Sequence, residues 1–539
     1  IGPWRAGQWS ARFDSTRRLP YTHGTVRGFY RTTDLLPYQA EVNAVFFQAA
    51  KKLKGRPLVL APAPRWTPFE LPVRIAQPGA DSLRITVGLA DHTEGQVRFA
   101  KLSFSSEAPA LDFGTAAPKL TRPAPPSTLE TNRYCRLAQR NGAWWLIRPD
   151  GQPFYSIATD APGLPQGAAR EQKAREMLAI LQRAGFNSFG GWSSVPNWAP
   201  LLDSLSSTGQ VLPLFRSLQA GTMKAQFDCL AAPGETTAPA EHGFPDPFDP
   251  RYEAALRAEV RRTLQFTRNK PWFGGWFADN EMAFKDLHRR VYSPHCATAL
   301  QTFLETNYHR DIQQLNTAWS TAFSSFAELI QRQPDPVLRR GAMYEDYRRF
   351  RREIVRRHIE LTLQVLHDED PGRLVFSQRF MMKHFSDWAD LLDLFQAYDG
   401  IGVNMYPDNV VPGLGANERA ALELIHQRTG KPLLVTEWSI PALDSRLYDN
   451  PAKLDWSWDC TVATQTERAR QAARVALDQY NLPFVVGAHW FTWKDFNSEK
   501  RQANRGLVQA NGQPWPELLQ ALGEVHTRLG SRKHEGSQF

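Results

Sequence analysis

The chain is poor in cysteine, with 4 residues in 539. Cys135, Cys229, Cys296 and Cys460 lie far apart and form no C-x-x-C pair. This spacing indicates neither a structural zinc site nor a disulfide scaffold. We expect buried thiols, with a single bridge between two of them as the alternative.

Long apolar runs are also missing. No stretch of about twenty consecutive apolar residues occurs, so no segment is predicted to span a bilayer. The chain starts at Ile1 rather than Met, which predicts a mature or trimmed form. This start does not itself give a location, so the expectation of an exported protein, periplasmic, extracellular or associated with the outer membrane, depends on the substrate.

Two further absences limit the partners. No glycine-rich loop of the Walker or dinucleotide type precedes a helix, so no nucleotide cofactor is expected. The formal net charge is +9, but Lys and Arg are spread along the chain without a long basic run or zinc-finger spacing. Nucleic acid is therefore not a predicted partner, and the charge favours only a bias towards anionic molecules such as sulfated or acidic glycans.

Aromatic residues, in contrast, are abundant: 17 Trp, 14 Tyr and 31 Phe. Sugar rings stack their apolar C–H faces on such side chains, so the surplus is compatible with glycan binding. Packing inside a large core is the alternative and accounts for the majority of them.

The N-terminal part has the alternation of half-buried strands. Leu83, Ile85, Val87 and Leu89 alternate with other residues, and turn signals such as 78–81 separate these runs. Residues 1–115 are therefore predicted to form an antiparallel β-sandwich. Four prolines then fall within residues 116–130, which predicts a stiff linker.

After the linker the pattern changes to short apolar runs that alternate with segments of helical periodicity. We predict a (β/α)8 TIM barrel in a catalytic domain of residues 131–530, followed by a polar tail at 531–539. An insertion at about 285–370 is predicted to be helical, and residues 221–250 to form a loop over the barrel mouth. The candidate strands are 154–159, 186–191, 211–216, 274–280, 374–379, 400–406, 433–438 and 485–492.

Two candidate strands end in carboxylates. The fourth runs into Asp279, Asn280 and Glu281, and the seventh ends in Glu437. Because the C-terminal ends of all barrel strands meet at one face, both glutamates are expected at the mouth. Hydrolysis of a glycosidic bond requires such a pair, one residue to protonate the leaving oxygen and one across the anomeric carbon.

Asn280-Glu281 and Glu437 at these strand ends resemble the clan A glycoside hydrolases. The stretches 150–156, 276–281 and 315–319 are most similar to glycoside hydrolase family 50, the β-agarases, and more distantly to the family 42 β-galactosidases. The resemblance implies that Glu281 is the acid/base, that Asn280 binds the substrate 2-hydroxyl, and that Glu437 is the nucleophile. It covers roughly residues 130–525, and an N-terminal sandwich that resembles a carbohydrate-binding module also fits family 50.

The resemblance also implies roles for aromatic residues. Tyr406 at the end of strand six resembles the tyrosine that hydrogen-bonds the nucleophile, with a packed loop tyrosine as the alternative. Trp490 on strand eight is the candidate floor of the reacting subsite, and Trp493 could exchange roles with it.

Four more side chains fall at predicted strand ends, where each could contact substrate hydroxyls or act as a structural strut: Asp160, Trp192, Arg379 and His489. No second His or Cys lies at ligand spacing to His489, so no metal site is predicted.

The predicted function is a retaining glycoside hydrolase that cleaves β-linked, galactose-containing polysaccharide or oligosaccharide by double displacement, as an agarase does. One alternative is a β-galactosidase or another β-glycan hydrolase of the same clan. The other, from a different class, is a carbohydrate-binding protein without activity. The sequence leaves the exact sugar, exo or endo action and the oligomeric state open.

Overall fold

The fold comes from a computed structural model of the chain. It describes residues 8–11, 23–48, 51–52, 56–74, 82–89, 95–105, 111, 113–114, 119–123, 125, 129–160, 162–164, 167, 169–219, 227–237, 242–336, 340–409, 411–447, 461–498 and 501–531.

Two antiparallel sheets form the N-terminal unit. One has the strand order β1-β7-β3-β4 with β5 also paired to β3, and the other has the order β6-β2-β8. Along β2, Val26 and Tyr30 are buried between the sheets while Phe29 is exposed, which is the alternation of a sandwich strand. The strands are β1 (Gln8–Ala11), β2 (His23–Thr33), β3 (Ala40–Gln48), β4 (Lys51–Lys52), β5 (Arg56–Leu60), β6 (Thr67–Arg74), β7 (Ser82–Leu89) and β8 (Gln96–Ser105).

Part of the proline-rich linker lies against the barrel. Arg122 is buried, and its Nη1 donates to the carbonyls of Tyr480, Leu482 and Val485 at 3.2, 2.8 and 2.8 Å. Its guanidinium also lies 4.4 Å from the centre of the Trp145 ring. The linker is therefore held to the second domain and is not only a spacer.

A small antiparallel sheet precedes the barrel. It comprises β9 (Arg136–Arg140), β10 (Ala143–Ile147) and β11 (Pro153–Phe154). Leu146 and Phe154 of this sheet share one apolar cluster with Phe215, Phe277 and other side chains of the barrel strands. The predicted first strand, 154–159, is therefore wrong at its start, because its first residue belongs to this small sheet.

Eight parallel strands close into a barrel, as predicted, since the eighth strand pairs with the first. All eight candidate strands are present, and the structure changes only their ends. They are β12 (Ser156–Thr159), β13 (Ser188–Phe189), β14 (Leu214–Ser217), β15 (Phe273–Phe277), β16 (Val375–Met381), β17 (Gly400–Asn404), β18 (Leu433–Trp438) and β19 (Val485–Trp490).

Helices cover the barrel. Their buried faces carry the predicted apolar stripes, for example Met177 and Leu181 on α1 and Leu256 and Val260 on α3. The helices are α1 (Ala169–Arg183), α2 (Val195–Ser207), α3 (Pro250–Thr267), α4 (Pro294–Asn307), α5 (Ile312–Trp319), α6 (Phe326–Arg332), α7 (Ala342–Glu369), α8 (Ala416–Thr429), α9 (Gln465–Asn481) and α10 (Pro516–Ser531). Two further strands, β20 (Phe496–Asn497) and β21 (Gln502–Ala503), form a hairpin after the barrel closes.

The insertion after the fourth barrel strand is helical, as predicted. It contains α4, α5 and α6 and ends in α7, which buries Phe350, Ile354, Leu361 and Val365. The connection from β16 to β17 differs from a regular barrel, because it consists of three 3₁₀ turns between Met382 and Ala397 instead of an α-helix.

The sandwich contacts the barrel through the turn before β3. The backbone N–H of Tyr38 donates to Asn417 Oδ1 at 2.9 Å, and the Tyr38 ring lies 6.1 Å from that of Phe385. Tyr38 itself is buried. The two units are therefore packed on each other in the described residues.

Three of the four cysteines, Cys135, Cys229 and Cys296, are buried free thiols, and Cys460 lies outside the described residues. In the part of the chain that the structure describes, no helix is long and apolar enough to cross a membrane.

Candidate active site

The two predicted glutamates reach the same end of the barrel. Glu281 lies four residues beyond β15, and Glu437 is the penultimate residue of β18. A third polar side chain, Asn404, ends β17 between them. Parallel strands bring all three to one face, as the barrel geometry requires.

Glu437 is surrounded by donors. Trp192 Nε1 donates to its Oε1 at 2.7 Å, and Arg379 Nη1 lies 3.0 Å from the same oxygen. The Tyr406 hydroxyl donates to Oε2 at 2.5 Å. Burial and the nearby Glu437 charge raise the pKa of Tyr406 well above its usual value, so that hydroxyl keeps its proton. Two hydrogen bonds and one ion pair therefore hold this buried carboxyl group in place.

Glu281 has a different environment. Its Oε1 accepts one hydrogen bond, from Asn404 Nδ2 at 2.7 Å, and His242 Nδ1 lies 3.9 Å from Oε2. Burial, and then the negative charge of Glu437, raise the pKa of Glu281, against the effects of Asn404, Arg379 and His242. A carboxyl group with a raised pKa can hold a proton for donation.

The backbone at Glu281 is unusual. Its φ of 49° lies in the left-handed region, which side chains other than Gly, Asn and Asp rarely adopt. The Glu281 N–H donates to the Arg379 carbonyl at 3.1 Å, and the following Met282 N–H donates to Gln378 Oε1 at 2.9 Å. Strand β16 thus holds the turn that directs the Glu281 carboxyl into the mouth. Such conformations occur preferentially at functional sites.

Asn404 links the fourth and seventh strand ends. Its Nδ2 is shared between Glu281 Oε1 and Asn280 Oδ1, the latter at 3.2 Å. Its Oδ1 accepts from the Thr436 hydroxyl at 2.7 Å, which fixes the orientation of the amide. Asn280 is half-buried and directly precedes Glu281, and its contact with substrate stays a prediction.

Trp192, Arg379 and Asp160 support Glu437 from one side. The Arg379 guanidinium lies 4.5 Å from the centre of the Trp192 ring, and Asp160 Oδ1 accepts a hydrogen bond from the backbone N–H of Trp192 at 3.0 Å. A Cβ on Gly190 would lie 2.5 Å from that same oxygen, so the chain passes there only as glycine. Arg379 has no exposed surface, so it orients Glu437 and does not contact a ligand directly.

Asp160 is a second buried carboxyl in this network. Burial raises its pKa to about 7, and the Glu437 charge adds to the rise while the Arg379 charge opposes it. The protonation of Asp160 therefore depends on the charges of Glu437 and Arg379.

His489 lies inside the barrel. Its Nε2 is 2.9 Å from the Ser156 hydroxyl, and its ring packs on Phe215 and Phe277. Burial, and then the Arg379 charge, lower its pKa to about 3, so the imidazole is neutral. His489 therefore has the surroundings of a structural residue, which the sequence left open as the alternative to a substrate contact.

The tryptophans of strand eight are more deeply buried than a sugar platform requires. Trp490 is 1% exposed, packs edge to face on Trp438 and donates its Nε1–H to the Arg505 carbonyl at 2.8 Å. Trp493 is 8% exposed. The half-buried Trp192 is thus more open to a bound sugar than either predicted floor residue.

Three residues near the carboxylates were missed by the sequence analysis. Asn404 ends an apolar strand, and the strand-end rule that found the two glutamates could have found it. Arg505, 4.4 Å from the centre of the Tyr406 ring, and His242 come from loops without periodicity, so no local pattern marks them.

A cavity of about 470 Å³ opens beside Glu281. The loop predicted to cover the mouth reaches it through His242, whose carbonyl accepts the Ala283 N–H at 2.9 Å. Residues 220–226 and 238–241 of that loop, and residues 448–460 near strand seven, lie outside the described residues. Within the described ranges, no three His, Cys, Asp or Glu side chains are grouped as a metal site would need.

Comparison with known proteins gives consistent relatives. The glycoside hydrolase family 42 (β-galactosidase) model matches residues 232–449, a span that contains Glu281 and Glu437. A β-agarase B from Vibrio sp. (strain JT0107) is 22% identical over 299 residues, which are 51% of this chain and 29% of that protein. The chain therefore matches less than a third of the length of this relative.

Solved structures agree over nearly the whole chain. An agarase, AgWH50C, has a TM-score of 0.62 at 16% identity and covers 97% of this chain and 93% of its own. An exo-β-agarase has a TM-score of 0.63 at 16% identity, with 98% and 93% covered. The chain is thus similar to agarases and to family 42 β-galactosidases.

The β-galactosidase of Halorubrum lacusprofundi is similar over a smaller part. Its TM-score is 0.51 at 17% identity, and the match covers 70% of this chain and 58% of that one. The relationship that the sequence indicated to families 50 and 42 is thus confirmed, and so is the barrel fold that these relatives share.

Proposed function

We propose that the chain is a retaining glycoside hydrolase that cleaves β-linked galactose in a polysaccharide or oligosaccharide. The observation that carries this proposal is the contrast between two carboxyl groups at one barrel mouth. Glu281 has a raised pKa, whereas Glu437 accepts two hydrogen bonds and pairs with the Arg379 guanidinium. Two carboxyls with opposite environments are what a double displacement needs.

In the proposed reaction Glu437 attacks the anomeric carbon while Glu281 protonates the leaving glycosidic oxygen. The bond to the leaving sugar breaks, and a covalent glycosyl-enzyme forms on Glu437. Glu281, now ionised, removes a proton from water, which attacks the same carbon and releases Glu437. The two inversions leave the anomeric configuration unchanged.

The surrounding residues have proposed roles in this cycle. Tyr406 and Arg379 orient Glu437, and Asn404 orients Glu281. Asn280, beside the acid, is placed to bind a hydroxyl of the sugar that reacts. Trp192 contacts Glu437 and offers its partly open ring to the same sugar.

Agar-type galactans are the first substrates to consider, because the relatives include agarases. The net charge of +9 favours an anionic member of this class, such as a sulfated galactan. Substrates of this size do not cross membranes, which supports action outside the cytoplasm. A β-galactosidase acting on small galactosides is the second candidate, and the family 42 match over 232–449 favours it.

The test compares wild type with Glu437→Ala on agar, porphyran, carrageenan and β-galactoside oligosaccharides, with mass analysis of the products. Wild type is expected to cleave at least one of these, and Glu437→Ala to lose at least about a thousandfold in rate. The control is Glu423→Ala, which removes an exposed carboxylate on α8.

Three outcomes separate the alternatives. Release of galactose from small galactosides without action on the longer chains would identify a β-galactosidase. Tight glycan binding without turnover would identify a binding protein. Equal cleavage by wild type and Glu437→Ala would contradict the proposed nucleophile.

A further inference from the structure

The cavity beside Glu281 lies on one side of the catalytic pair. It runs between the segment after β15 (282–285) and the segment after β16 (381–388). Glu281 lines it, but Glu437 and its three partners Trp192, Arg379 and Tyr406 do not. A sugar in this cavity is therefore next to the proton donor and away from the nucleophile, which is the position of a leaving group.

The cavity has an apolar base and a basic rim. Phe284, Phe380 and Trp388 supply aromatic surface, and about 470 Å³ falls within the usual range of small-molecule sites. Four basic side chains line the same space: His242, Lys285, Lys383 and His384. Galactose without a charged substituent can accept hydrogen bonds from these side chains, but it has no charge to pair with them.

The acidic lining residues do not cancel this charge. They are Glu281 and Asp387, and Glu281 is the group with the raised pKa that carries the proton before reaction. Against the single remaining carboxyl stand two lysines, before either histidine is protonated. Partial desolvation and the charges of Lys383, Lys285 and His242 together lower the pKa of His384, although Asp387 opposes this, so the basic groups act on one another across the cavity.

A rim with surplus positive charge and an aromatic base suits a sugar ring that carries an anion. The ring stacks on the aromatic surface, and a lysine ammonium pairs with the anion in a partly water-excluded space, where such an interaction is stronger than in bulk water. A neutral sugar would gain only the first of these contacts.

We propose that this cavity is a leaving-group subsite for a sugar bearing an anionic substituent, either a sulfate ester or a carboxylate. The proposal rests on the proposed glycosidase function, because the leaving-group side is defined by Glu281. It assigns Lys285 and Lys383 as the residues that determine this preference.

The kinetic test uses three matched substrates: a sulfated galactan oligosaccharide, its desulfated form, and an oligosaccharide with a uronic acid on the leaving-group side. Wild type is compared with the double variant Lys285→Gln/Lys383→Gln. The ratio of kcat/KM for an anionic substrate to that for the neutral one is expected to exceed one in wild type and to fall about tenfold in the double variant. Lys173→Gln, at an exposed position on α1, is the control that should keep the wild-type ratio.

The two anionic substrates identify the anion, since the one with the larger ratio carries the group that the cavity selects. A ratio of one in wild type, or a ratio that the double variant does not change, would overturn the proposal while leaving glycosidase activity intact.

Calorimetric binding keeps the test independent of turnover. Wild type should bind the anionic oligosaccharide more tightly than the neutral one, added salt should reduce the difference, and the double variant should lack it. If no substrate is cleaved but this pattern is found, the proposed function fails and the anionic subsite stands. Equal binding of both sugars would reject the subsite.

Discussion

At the scale of single residues, the two glutamates of the site differ in the side chains that surround them. Glu437 receives an indole N–H, a guanidinium and a phenolic hydroxyl, whereas Glu281 receives one amide N–H and otherwise faces a cavity with an apolar base and a basic rim. Hydrogen bonds and opposite charges favour an ionised carboxylate, while burial favours the protonated acid. The proposed roles of nucleophile and acid follow from this difference.

The raised pKa of Glu281 predicts the alkaline limb of the pH profile. The acid must be protonated to act, so kcat/KM falls as pH rises through its pKa, and a raised pKa extends activity towards neutral pH. Asn404→Ala removes a hydrogen bond that lowers this pKa, so its alkaline limb is expected at higher pH than in wild type. The measurement is kcat/KM against pH for both proteins; a limb displaced to lower pH would contradict the role of Asn404.

Tyr406 provides a second prediction. Tyr406→Phe removes the hydroxyl that donates to Glu437 at 2.5 Å, and kcat is expected to fall roughly 10- to 100-fold, since one hydrogen bond to a charged group is lost. Steady-state kinetics on the substrate identified above measure the change.

The matched control is Tyr308→Phe. It removes a hydroxyl that donates to the Asp346 carboxylate at the same 2.5 Å, but in the helical insertion. It should leave kcat unchanged. Equal losses in the two variants would mean that the effect comes from stability and not from the nucleophile.

At the scale of elements, periodicity predicted the order of the barrel strands and of the helices between them. Apolar strands such as Leu433–Trp438 and helix stripes such as Leu256 and Val260 are local patterns, and each was found at its place. The 3₁₀ connection after β16 was not predicted. Its conformation depends on the packing of Phe385 against Trp388, which leaves no periodic pattern in the sequence. Tertiary contacts decide such segments.

The linker was predicted as stiff and extended, and it contacts the barrel through one buried arginine and through hydrogen bonds of its backbone with the Asn481 side chain. Arg122→Met would remove one hydrogen-bond donor from each of the carbonyls of Tyr480, Leu482 and Val485, at a cost of about 3 kcal/mol. Thermal unfolding should show a lower Tm at unchanged kcat/KM. Arg140→Met, at an exposed position, is the comparison that should keep the wild-type Tm, and an equal Tm for both variants would show that the linker contact is not structural.

At the scale of the whole molecule, the residues at the ends of the barrel strands indicate function more specifically than the amino-acid composition does. The two glutamates could be found because each follows an apolar strand and the barrel geometry brings such ends together. His242 and Arg505 could not, since loops carry them to the mouth from distant sequence positions. Trp490 and His489 lie near their predicted places, but both are buried and therefore pack behind the site instead of facing its opening.

The aromatic surplus also has a structural explanation at this scale. The largest fully buried side chains include Trp145, Trp198, Trp272, Trp276 and Trp388, so core packing accounts for many tryptophans, as the alternative interpretation held. Phe29 and Trp66 on the sandwich are exposed, and whether that domain binds glycan stays a prediction.

The central claim is that Glu437 forms a covalent bond to the sugar. The most direct measurement is incubation of wild type with a 2-deoxy-2-fluoro-galactosyl fluoride, which slows release of the intermediate, followed by peptide mapping by mass spectrometry. The expected result is one added fluorogalactosyl group on the peptide that contains Glu437, and none in Glu437→Ala. A label on another carboxylate, or no label on protein that still turns over galactoside substrate, would contradict the double displacement at Glu437.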